Sequence, residues 1–331
     1  MKLGILKDLS NTSKYYIDAC EDLGIEYEVI NIMSSNWLEI IQKSFCNGFL
    51  VAPYSVKDVW KNMYIERLYF INKTLGYPIY PSYDEVFIYE SKRNMSYWLQ
   101  AHDIKSPKTW IFYDKYEALN FVNNTKIYPL VFKPNIGSAA LGIKIIKDKK
   151  TAIQLIDRIF TKWKFFNRGF TKWNKTKYKL SYPIMDDKQY NNILFQEMIN
   201  VKHEWRGIKI GNSYFAHKKL ANSDGFHSGS GLASYETPPL EVLDFIRFVC
   251  DKGEFRSMNV DFFEDIYGNF FVNELQTIFG SKIKPYQMCV NGEPGRYLYD
   301  NDRWVFQKGM FNQNNSYNLR VMDFISILDD E

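Results

Sequence analysis

Residues 258–276 of this chain read MNVDFFEDIYGNFFVNELQ. Two runs rich in Val and Phe flank a centre rich in turn formers, and this pattern predicts a β-hairpin. Centring the loop on Tyr267-Gly268 places Asp261 directly opposite Glu274. The two acids therefore lie on the two arms of one hairpin.

These two acids form a candidate metal site. Cross-strand partners in a β-sheet have Cβ atoms about 5 Å apart, so two carboxylates placed there repel each other. A divalent cation between Asp261 and Glu274 removes the repulsion. Gln276 lies two residues beyond Glu274, on the same strand face, and adds a third oxygen ligand. Carboxylate and amide oxygens suit Mg²⁺, which keeps its other positions for water and phosphate.

The composition indicates an ordinary soluble globular protein. The chain has 331 residues, enough for two or three packed units, with 46% hydrophobic and 24% charged residues. Its net charge of +4 is too small to argue for nucleic acid. No apolar run approaches the ~20 residues of a membrane helix, and the start shows no signal-peptide pattern. The four cysteines lack CxxC spacing and read as reduced thiols, so we predict a cytoplasmic protein.

The rest of the pattern predicts an α/β protein in three parts. Residues 1–82 alternate strand-like and helix-like runs, which favours a small parallel α/β unit. No glycine-rich phosphate loop follows its first strand. Residues 83–280 mix strands and helices, with one subdomain at 83–195 and a second at 196–280. Residues 281–331 are predicted to be a loop-like C-terminal extension, because they are rich in Gly, Asn and aromatic residues.

Lys133 ends an apolar strand and precedes a small-residue loop at 134–142, which contains Gly137 and Ser138. Backbone N–H groups in such a loop approach phosphate oxygens closely, and a lysine at the edge of the loop supplies a fixed positive charge. Taken alone, the local pattern favours an ordinary β-turn. The loop becomes a candidate phosphate-binding loop only when it is considered together with the other segments of the chain.

A further strand ends at residues 195–199, which read FQEMI. The main chain of Glu197, Met198 and Ile199 can form hydrogen bonds with the edge of an adenine, with Met198 packed on the ring. When the segment is taken alone, a strand end with a solvated Glu197 is the favoured explanation.

Charged residues continue along the next strands. Glu204 and Arg206 share a strand face, which suits a ribose acceptor and a phosphate-binding guanidinium; the alternative is a surface ion pair. Lys218 or its close competitor Lys219 can meet a phosphate; the alternative is a charged edge strand. Residues 161–182 are basic and aromatic without an acid, which favours either an anionic partner or a solvated insertion.

In their order and spacing, these segments resemble the ATP-grasp superfamily, over roughly residues 83–280. The later part is similar to carboxylate–amine ligases of the D-alanine–D-alanine ligase and glutathione synthetase type. The resemblance implies two α+β subdomains that clasp ATP, preceded by the small α/β domain. It also implies a nucleotide site and one or two Mg²⁺ ions. The implied nucleotide-binding residues are Lys92, Lys133, Gly137, Ser138, Glu197, Met198, Ile199, Glu204 and Lys218, and the implied metal ligands are Asp261, Glu274 and Gln276.

Two positions depart from the family pattern. The third metal ligand is usually Asn, whereas Gln276 is longer by one methylene and keeps the carbonyl oxygen. A basic residue commonly lies two positions before the first acid, where this chain has Asn259. Arg206 and Arg256 are the candidates to replace that residue, and with Lys218 they form the expected catalytic set.

The resemblance implies an ATP- and Mg²⁺-dependent ligase that joins a carboxylate to an amine through an acyl phosphate. An ATP-grasp kinase and a non-catalytic nucleotide-binding module are the alternatives. The expected substrates are small molecules: an amino acid, a peptide, or an acidic sugar or sugar nucleotide. We expect no nucleic-acid partner and no transmembrane segment, and a homodimer is common among relatives.

Overall fold

The structure is a computed structural model, and it describes residues 1–8, 12–53, 58–136, 142–160, 191–220, 232–280 and 284–330. Two predicted nucleotide-binding residues, Gly137 and Ser138, lie outside the described residues. So does the basic stretch at 161–182. Within the described residues, no helix has both the length and the apolar character needed to span a bilayer.

The N-terminal unit is a parallel sheet with helices on both faces, as its alternating pattern predicts. The strand order is β2-β1-β3-β4. Leu3 and Ile5 of the central strand point into one apolar core, and Leu6 points into the other. This burial on both faces explains why β1 is an unbroken apolar run. The elements are β1 (Lys2–Lys7), α1 (Ser13–Leu23), β2 (Glu26–Asn31), α2 (Trp37–Lys43), β3 (Gly48–Val51), α3 (Asp58–Tyr69), a π-helical segment (Phe70–Thr74) and β4 (Ile79–Tyr80).

Two helices, α4 (Tyr83–Ile88) and α5 (Lys92–Ala101), lead into a second, antiparallel sheet of order β5-β8-β6-β7. Two further helices cover one face of this sheet, and Ala118, Leu155 and Phe195 lie in the shared core. The elements are β5 (Thr109–Phe112), α6 (Lys115–Asn124), β6 (Leu130–Phe132), β7 (Lys144–Ile146), α7 (Lys149–Ile159) and β8 (Ile193–Glu197).

The third sheet is the largest, and it carries the predicted hairpin. Its order is β13-β12-β9-β10-β15-β14, with β11 paired to β10 and β16 to β15. Helix α8 packs closely on one face, because a Cβ on Gly207 would lie 2.3 Å from Cγ1 of Ile246. The opposite face is therefore the one available to a site. The elements are β9 (Val201–Ile210), β10 (Ser213–Lys219), β11 (Ala233–Ser234), α8 (Leu240–Lys252), β12 (Ser257–Asp265), β13 (Phe270–Gln276), β14 (Cys289–Val290), β15 (Glu293–Asp300) and β16 (Arg303–Lys308).

The prediction of a loop-like C-terminal extension is wrong. Strands β14 to β16 extend the third sheet, and a 3₁₀ turn (Gln313–Ser316) leads into helix α9 (Tyr317–Asp330). This helix returns to the N-terminal unit and packs on α1, where the Tyr16 and Tyr317 rings meet edge to face with centroids 4.5 Å apart. The start of β15 reads EPGRY, and its Pro and Gly lower the strand propensity that sequence reasoning depends on.

Candidate functional site

Four neighbouring strands of the third sheet bring four charged or titratable residues into one row. His217, Arg206, Asp261 and Glu274 lie directly opposite one another on β10, β9, β12 and β13. Directly paired residues in antiparallel strands point to the same face of the sheet. The row therefore runs across the face opposite helix α8.

The predicted pairing of Asp261 with Glu274 is confirmed, and a β-bulge produces it. Nearer the loop, Phe262 pairs with Val272, which is one residue out of the register that the predicted loop centre requires. Asn273 is the extra residue that restores the register at the acids. Its Oδ1 accepts a hydrogen bond from Lys133 Nζ at 2.8 Å. Sequence reasoning missed Asn273, although its place beside Glu274 was a usable clue.

The carboxylate of Asp261 is paired with two protein cations. Arg206 donates to both of its oxygens at 3.0 Å, and Lys219 Nζ lies 3.1 Å from Oδ2. Asp261 is only 1% exposed. Burial alone raises a carboxyl pKa, but the charges of Arg206 and Lys219 outweigh burial and hold the pKa of Asp261 far below its usual value.

Glu274 is held more loosely than Asp261. The Nζ of Lys92 lies 3.8 Å away, and a fifth of the Glu274 side chain is exposed. Two residues further along the same two strands, Gln276 is paired with Asn259. The Nε2 of Gln276 donates a hydrogen bond to Glu90 Oε1 at 3.5 Å. Asn259 is fully buried, and neither polar atom of its side chain has a hydrogen-bond partner. Glu274 thus has oxygen lone pairs available, and a buried amide lies beside it.

Two predicted lysines converge on this acid from the neighbouring elements. Lys92 begins helix α5, and Lys133 directly follows strand β6 of the second sheet. Burial lowers the pKa of Lys133 to about 8, the charge of Lys92 lowers it further, and the charges of Glu274 and Glu204 oppose the change. Both lysines line a narrow pocket between the second and third sheets, together with Gln196 of strand β8.

Lys218, which was predicted to contact phosphate, and its neighbour Lys219 lie on opposite faces of the third sheet. Lys219 bonds to Glu204 at 2.5 Å and also reaches Asp261, so it lies on the face of the row. Lys218 points to the other face, where it pairs with Glu236 at 3.0 Å and lies over the Trp205 ring. The alternation of side chains along a strand explains the difference.

The predicted adenine-binding segment connects the second sheet to the third. The backbone N–H and Oε1 of Glu197 both bond to the backbone of Lys108, at 2.9 and 2.6 Å. These bonds fix the end of β8. Met198 is 52% exposed and Ile199 is half-buried in the linker to β9. The linker thus lies where the two sheets meet.

Arg256 does not reach the row. It lies just before β12 and five residues before Asp261, which is about 16 Å along an extended chain, and its guanidinium pairs with Asp323 of helix α9. Arg206 is the predicted arginine that lies in the site.

The residues present fit a magnesium ion that is held partly by a nucleotide. Within the described part of the chain, no group of three or more His, Cys, Asp and Glu side chains has the geometry of a metal site. Asp261, Glu274 and Gln276 offer two carboxylates and one amide oxygen, which is the small set of protein ligands that Mg²⁺ uses with phosphates.

The chain was compared with known proteins. No family model matches it. It is 40% identical over 63 residues to a D-alanine–D-alanine ligase of Bacillus anthracis, a match covering 19% of this chain and 20% of the relative. It is 29% identical over 128 residues to an alpha-aminoadipate–LysW ligase of Saccharolobus solfataricus, covering 38% and 44% of the two chains. These matches span less than half the length of the curated relatives.

The solved structures extend the likeness to the whole chain. A D-alanine–D-alanine ligase from Bacillus anthracis, solved in complex with ATP, superposes with a TM-score of 0.56 and 13% identity. The superposition covers 100% of this chain and 99% of the ligase.

Proposed function

Since this chain has the ATP-grasp fold, we propose that it is an ATP- and Mg²⁺-dependent carboxylate–amine ligase. The observation that carries the proposal is the convergence of three lysines on two paired acids, on the sheet face between the second and third sheets. Lys92, Lys133 and Lys219 supply the charge that a triphosphate needs, while Asp261 and Glu274 supply metal ligands. This combination of positions and charges is what phosphoryl transfer requires.

The nucleotide would bind between the two sheets. Its adenine would lie at the linker of Glu197, Met198 and Ile199, and its phosphates would lie among the three lysines. Asp261, Glu274 and Gln276 would hold Mg²⁺, which neutralises charge on the phosphates when it is bound. Glu204 is 2% exposed and already engaged by Lys219, so we propose that it orients this lysine in addition to its expected contact with ribose.

The proposed reaction has two steps. A carboxylate oxygen of the substrate attacks the γ-phosphorus of ATP, the bond to the β,γ-bridging oxygen breaks, and ADP leaves. The amine nitrogen then attacks the acyl carbon, phosphate leaves, and the amine proton passes to phosphate or solvent. Two hydrogen bonds to Asp261 hold Arg206 in place, so its positive charge has a fixed position within the row and can stabilise the developing oxyanion.

ADP release tests this proposal. We expect ADP and phosphate only when ATP, a carboxylate and an amine are all present, measured across a panel of acidic sugars, amino acids and amines. Asp261→Asn should lower the rate at least 100-fold. Glu264→Gln, on the same strand but bonded to Trp205 on the other face, is the matched control and should leave the rate within about threefold. Full activity of Asp261→Asn would refute the metal site.

The same assay decides between the alternatives. A kinase would release ADP with its phosphate acceptor alone and yield a stable phosphorylated product. A non-catalytic module is favoured by one observation, the engagement of both oxygens of Asp261 by protein cations. That module would bind ATP, measured by calorimetry, and would release no ADP with any pair of substrates.

A further inference from the structure

His217 is the member of the row that the proposed function leaves without a role. It lies on β10 directly opposite Arg206 and forms the end of the row farthest from Glu274. Neighbouring strands are about 4.8 Å apart, so three strand spacings, about 14 Å, separate the backbone of His217 from that of Glu274. Lys92 and Lys133, which are proposed to hold the phosphates, lie at the Glu274 end.

One hydrogen bond fixes the tautomer of the His217 ring. Nδ1 lies 2.8 Å from the carbonyl oxygen of Gln287, and because a carbonyl oxygen only accepts, Nδ1 carries the proton. Burial lowers the pKa of His217 to about 4, the charge of Arg206 lowers it further, and the bond to Gln287 and the charge of Asp261 oppose the change. The ring is therefore neutral at pH 7, and Nε2 keeps its lone pair as a hydrogen-bond acceptor.

The carbonyl group that fixes the ring is itself held by the C-terminal segment. Gln287 is 1% exposed, and its side-chain Nε2 donates to Asn312 Oδ1 at 2.9 Å. The same Oδ1 accepts from Ser316 Oγ at 2.7 Å. The Tyr235 ring packs against the imidazole, with the two ring centroids 5.0 Å apart. The imidazole is thus held in one orientation, as a group that positions a substrate has to be.

The second ring nitrogen of His217 is available to a ligand. In the parts of the chain that the structure describes, Nε2 has no hydrogen-bond partner, although His217 is only 4% exposed. The two nitrogens lie on opposite sides of the ring, so Nε2 points away from Gln287. An acceptor that is nearly buried and unused costs free energy unless a donor completes it. A substrate N–H group would supply that donor.

The neighbours of His217 indicate which substrate group arrives there. Arg206 uses Nε and Nη2 on Asp261, so Nη1 is the nitrogen that remains for a developing oxyanion. In the proposed reaction, the leaving phosphate lies on the Asp261 side of Arg206, with the metal ligands. The attacking amine then approaches from the other side, where His217 lies. A second cation is unfavourable beside Arg206, whereas an uncharged amine can donate an N–H to Nε2.

We infer that Nε2 of His217 accepts a hydrogen bond from an N–H of the attacking amine, and that the site takes this amine in its uncharged form. The hydrogen bond turns the nitrogen lone pair toward the acyl carbon. The C–N bond forms, phosphate leaves, and the amine proton passes to phosphate or solvent. The assignment of the N–H donor as the attacking amine rests on the proposed ligase function. Binding of an N–H donor to Nε2 is a separate property and can be measured without turnover.

Nitrogen NMR of the full chain, with isotope-labelled histidine, tests this binding. The protein is saturated with Mg²⁺ and a non-hydrolysable ATP analogue at neutral pH, and His217→Gln identifies the resonances of His217. The probe is methoxyamine, which is weakly basic, uncharged at neutral pH and carries N–H groups. Its N,N-dimethyl derivative has no N–H and is the matched control. We expect methoxyamine to shift the Nε2 resonance upfield in a saturable way and the control to leave it unchanged. No shift, or equal shifts with both compounds, overturns the inference.

Variants separate the two chemical steps. His217→Asn keeps a donor for Gln287 but has no acceptor at the place of Nε2, so it should lower amide formation at least about 100-fold. Acyl-phosphate formation should stay within about threefold, measured without an amine by positional isotope exchange in ATP labelled at the β,γ-bridging oxygen. His217→Gln, whose amide oxygen can replace Nε2, should recover amide formation to within about tenfold of the unmodified protein.

The matched control is His203→Asn. His203 lies on β9 beside Trp205 and opposite Glu264, on the other face of the sheet, so both steps should be unchanged. A structural role for His217 gives a different result, because the variant that keeps the bond to Gln287 would then be the more active one. His217→Asn more active than His217→Gln, or equal losses in both steps, overturns the inference.

The two proposals fail in different ways. A methoxyamine shift without ADP release for any pair of substrates would contradict the ligase function and leave the assignment of His217 in place. ADP release that His217→Asn does not change, together with no methoxyamine shift, would contradict the assignment of His217 and leave the ligase function in place.

Discussion

At the scale of single residues, the two adjacent lysines at the end of β10 have opposite environments. Lys219 lies between Glu204 and Asp261, whereas Lys218 lies between Trp205 and Glu236. Successive side chains of a strand point to opposite faces, so a phosphate on the site face reaches only one of them. Because the two lysines lie on opposite faces, a variant of one serves as the control for the same variant of the other.

We expect Lys219→Met to lower ATP-dependent turnover at least 100-fold, because it removes a cation from the proposed phosphate site and also leaves Asp261 and Glu204 close together with less neutralising charge. Lys218→Met is the control and should stay within about threefold of the unmodified protein. Steady-state ADP release measures both. Equal losses in the two variants would contradict the assignment of faces.

The depressed pKa of Lys133 predicts a pH dependence of nucleotide binding. Its pKa of about 8 means that the free protein loses this ammonium charge as the pH rises through 8. Anionic phosphates favour the protonated form, so binding above that pH requires uptake of a proton. We expect the association constant for Mg²⁺-free ATP to be flat below about pH 7.5 and to fall by up to about tenfold per unit above pH 8.

Calorimetry between pH 6 and 10 provides this measurement. In Lys133→Met the binding should be weaker at every pH and should lack the decline near pH 8. A decline that persists unchanged in this variant would assign the titration to another group.

At the scale of elements, the hairpin of β12 and β13 depends on its turn. Gly268 has φ of +80°, and a Cβ added there meets no atom within 4 Å. Asp265 Oδ1 accepts from the backbone N–H groups of Tyr267 and Asn269, both at 2.8 Å, which closes the loop locally. The turn therefore favours glycine because of its left-handed backbone conformation, and not because a side chain would be crowded.

We expect Gly268→Ala to lower the free energy of unfolding by about 1–2 kcal/mol, the cost of a left-handed conformation for a residue with a Cβ. Urea unfolding measures it. Affinity for ATP should not change, because the turn lies beyond the bulge that fixes the acids. Tyr267→Ala, at an 83% exposed position in the same turn, is the control and should cost less than about 0.5 kcal/mol. A smaller loss in Gly268→Ala than in this control would contradict the argument.

At the scale of the whole molecule, helix α9 packs on helix α1 of the N-terminal unit and also contacts the third sheet, which carries the candidate site. Arg320 is fully buried and donates to Ser257 Oγ at 3.1 Å and to the carbonyl oxygen of Phe279 at 2.9 Å. Its guanidinium also lies over the rings of Phe279 and Tyr317, at 4.2 and 4.4 Å from their centres. The Arg320 side chain thus links helix α9 by hydrogen bonds to strand β12 and to the segment after β13.

Arg320→Leu should lower the free energy of unfolding by about 2–4 kcal/mol, because buried acceptors lose their donors and two ring contacts are lost. Chemical unfolding followed by fluorescence and circular dichroism measures the change. Arg303→Leu, at an exposed position on β16, is the matched control and should lie within about 0.5 kcal/mol of the unmodified protein. Equal stability of the two variants would show that Arg320 does not fasten the helix.

The sequence by itself determined the local features of this protein. The parallel N-terminal unit, the hairpin and the facing of Asp261 and Glu274 follow from short-range patterns, because pairing partners thirteen residues apart are joined by one short loop. The strands of 289–308 escaped prediction because their Pro, Gly and Asn residues lower strand propensity, and pairing with β10 supplies what the local pattern lacks.

Only the tertiary structure decided which cations meet which acids. Arg206 and Lys219 reach Asp261 because β9 and β10 lie next to β12 in the sheet, and Arg256 is drawn to Asp323 because α9 returns to that end of β12. Such contacts join residues that are 42 to 67 positions apart. Side-chain periodicity reports which face a residue takes within its own element, but the partner on that face depends on the order of the strands, which no local pattern contains.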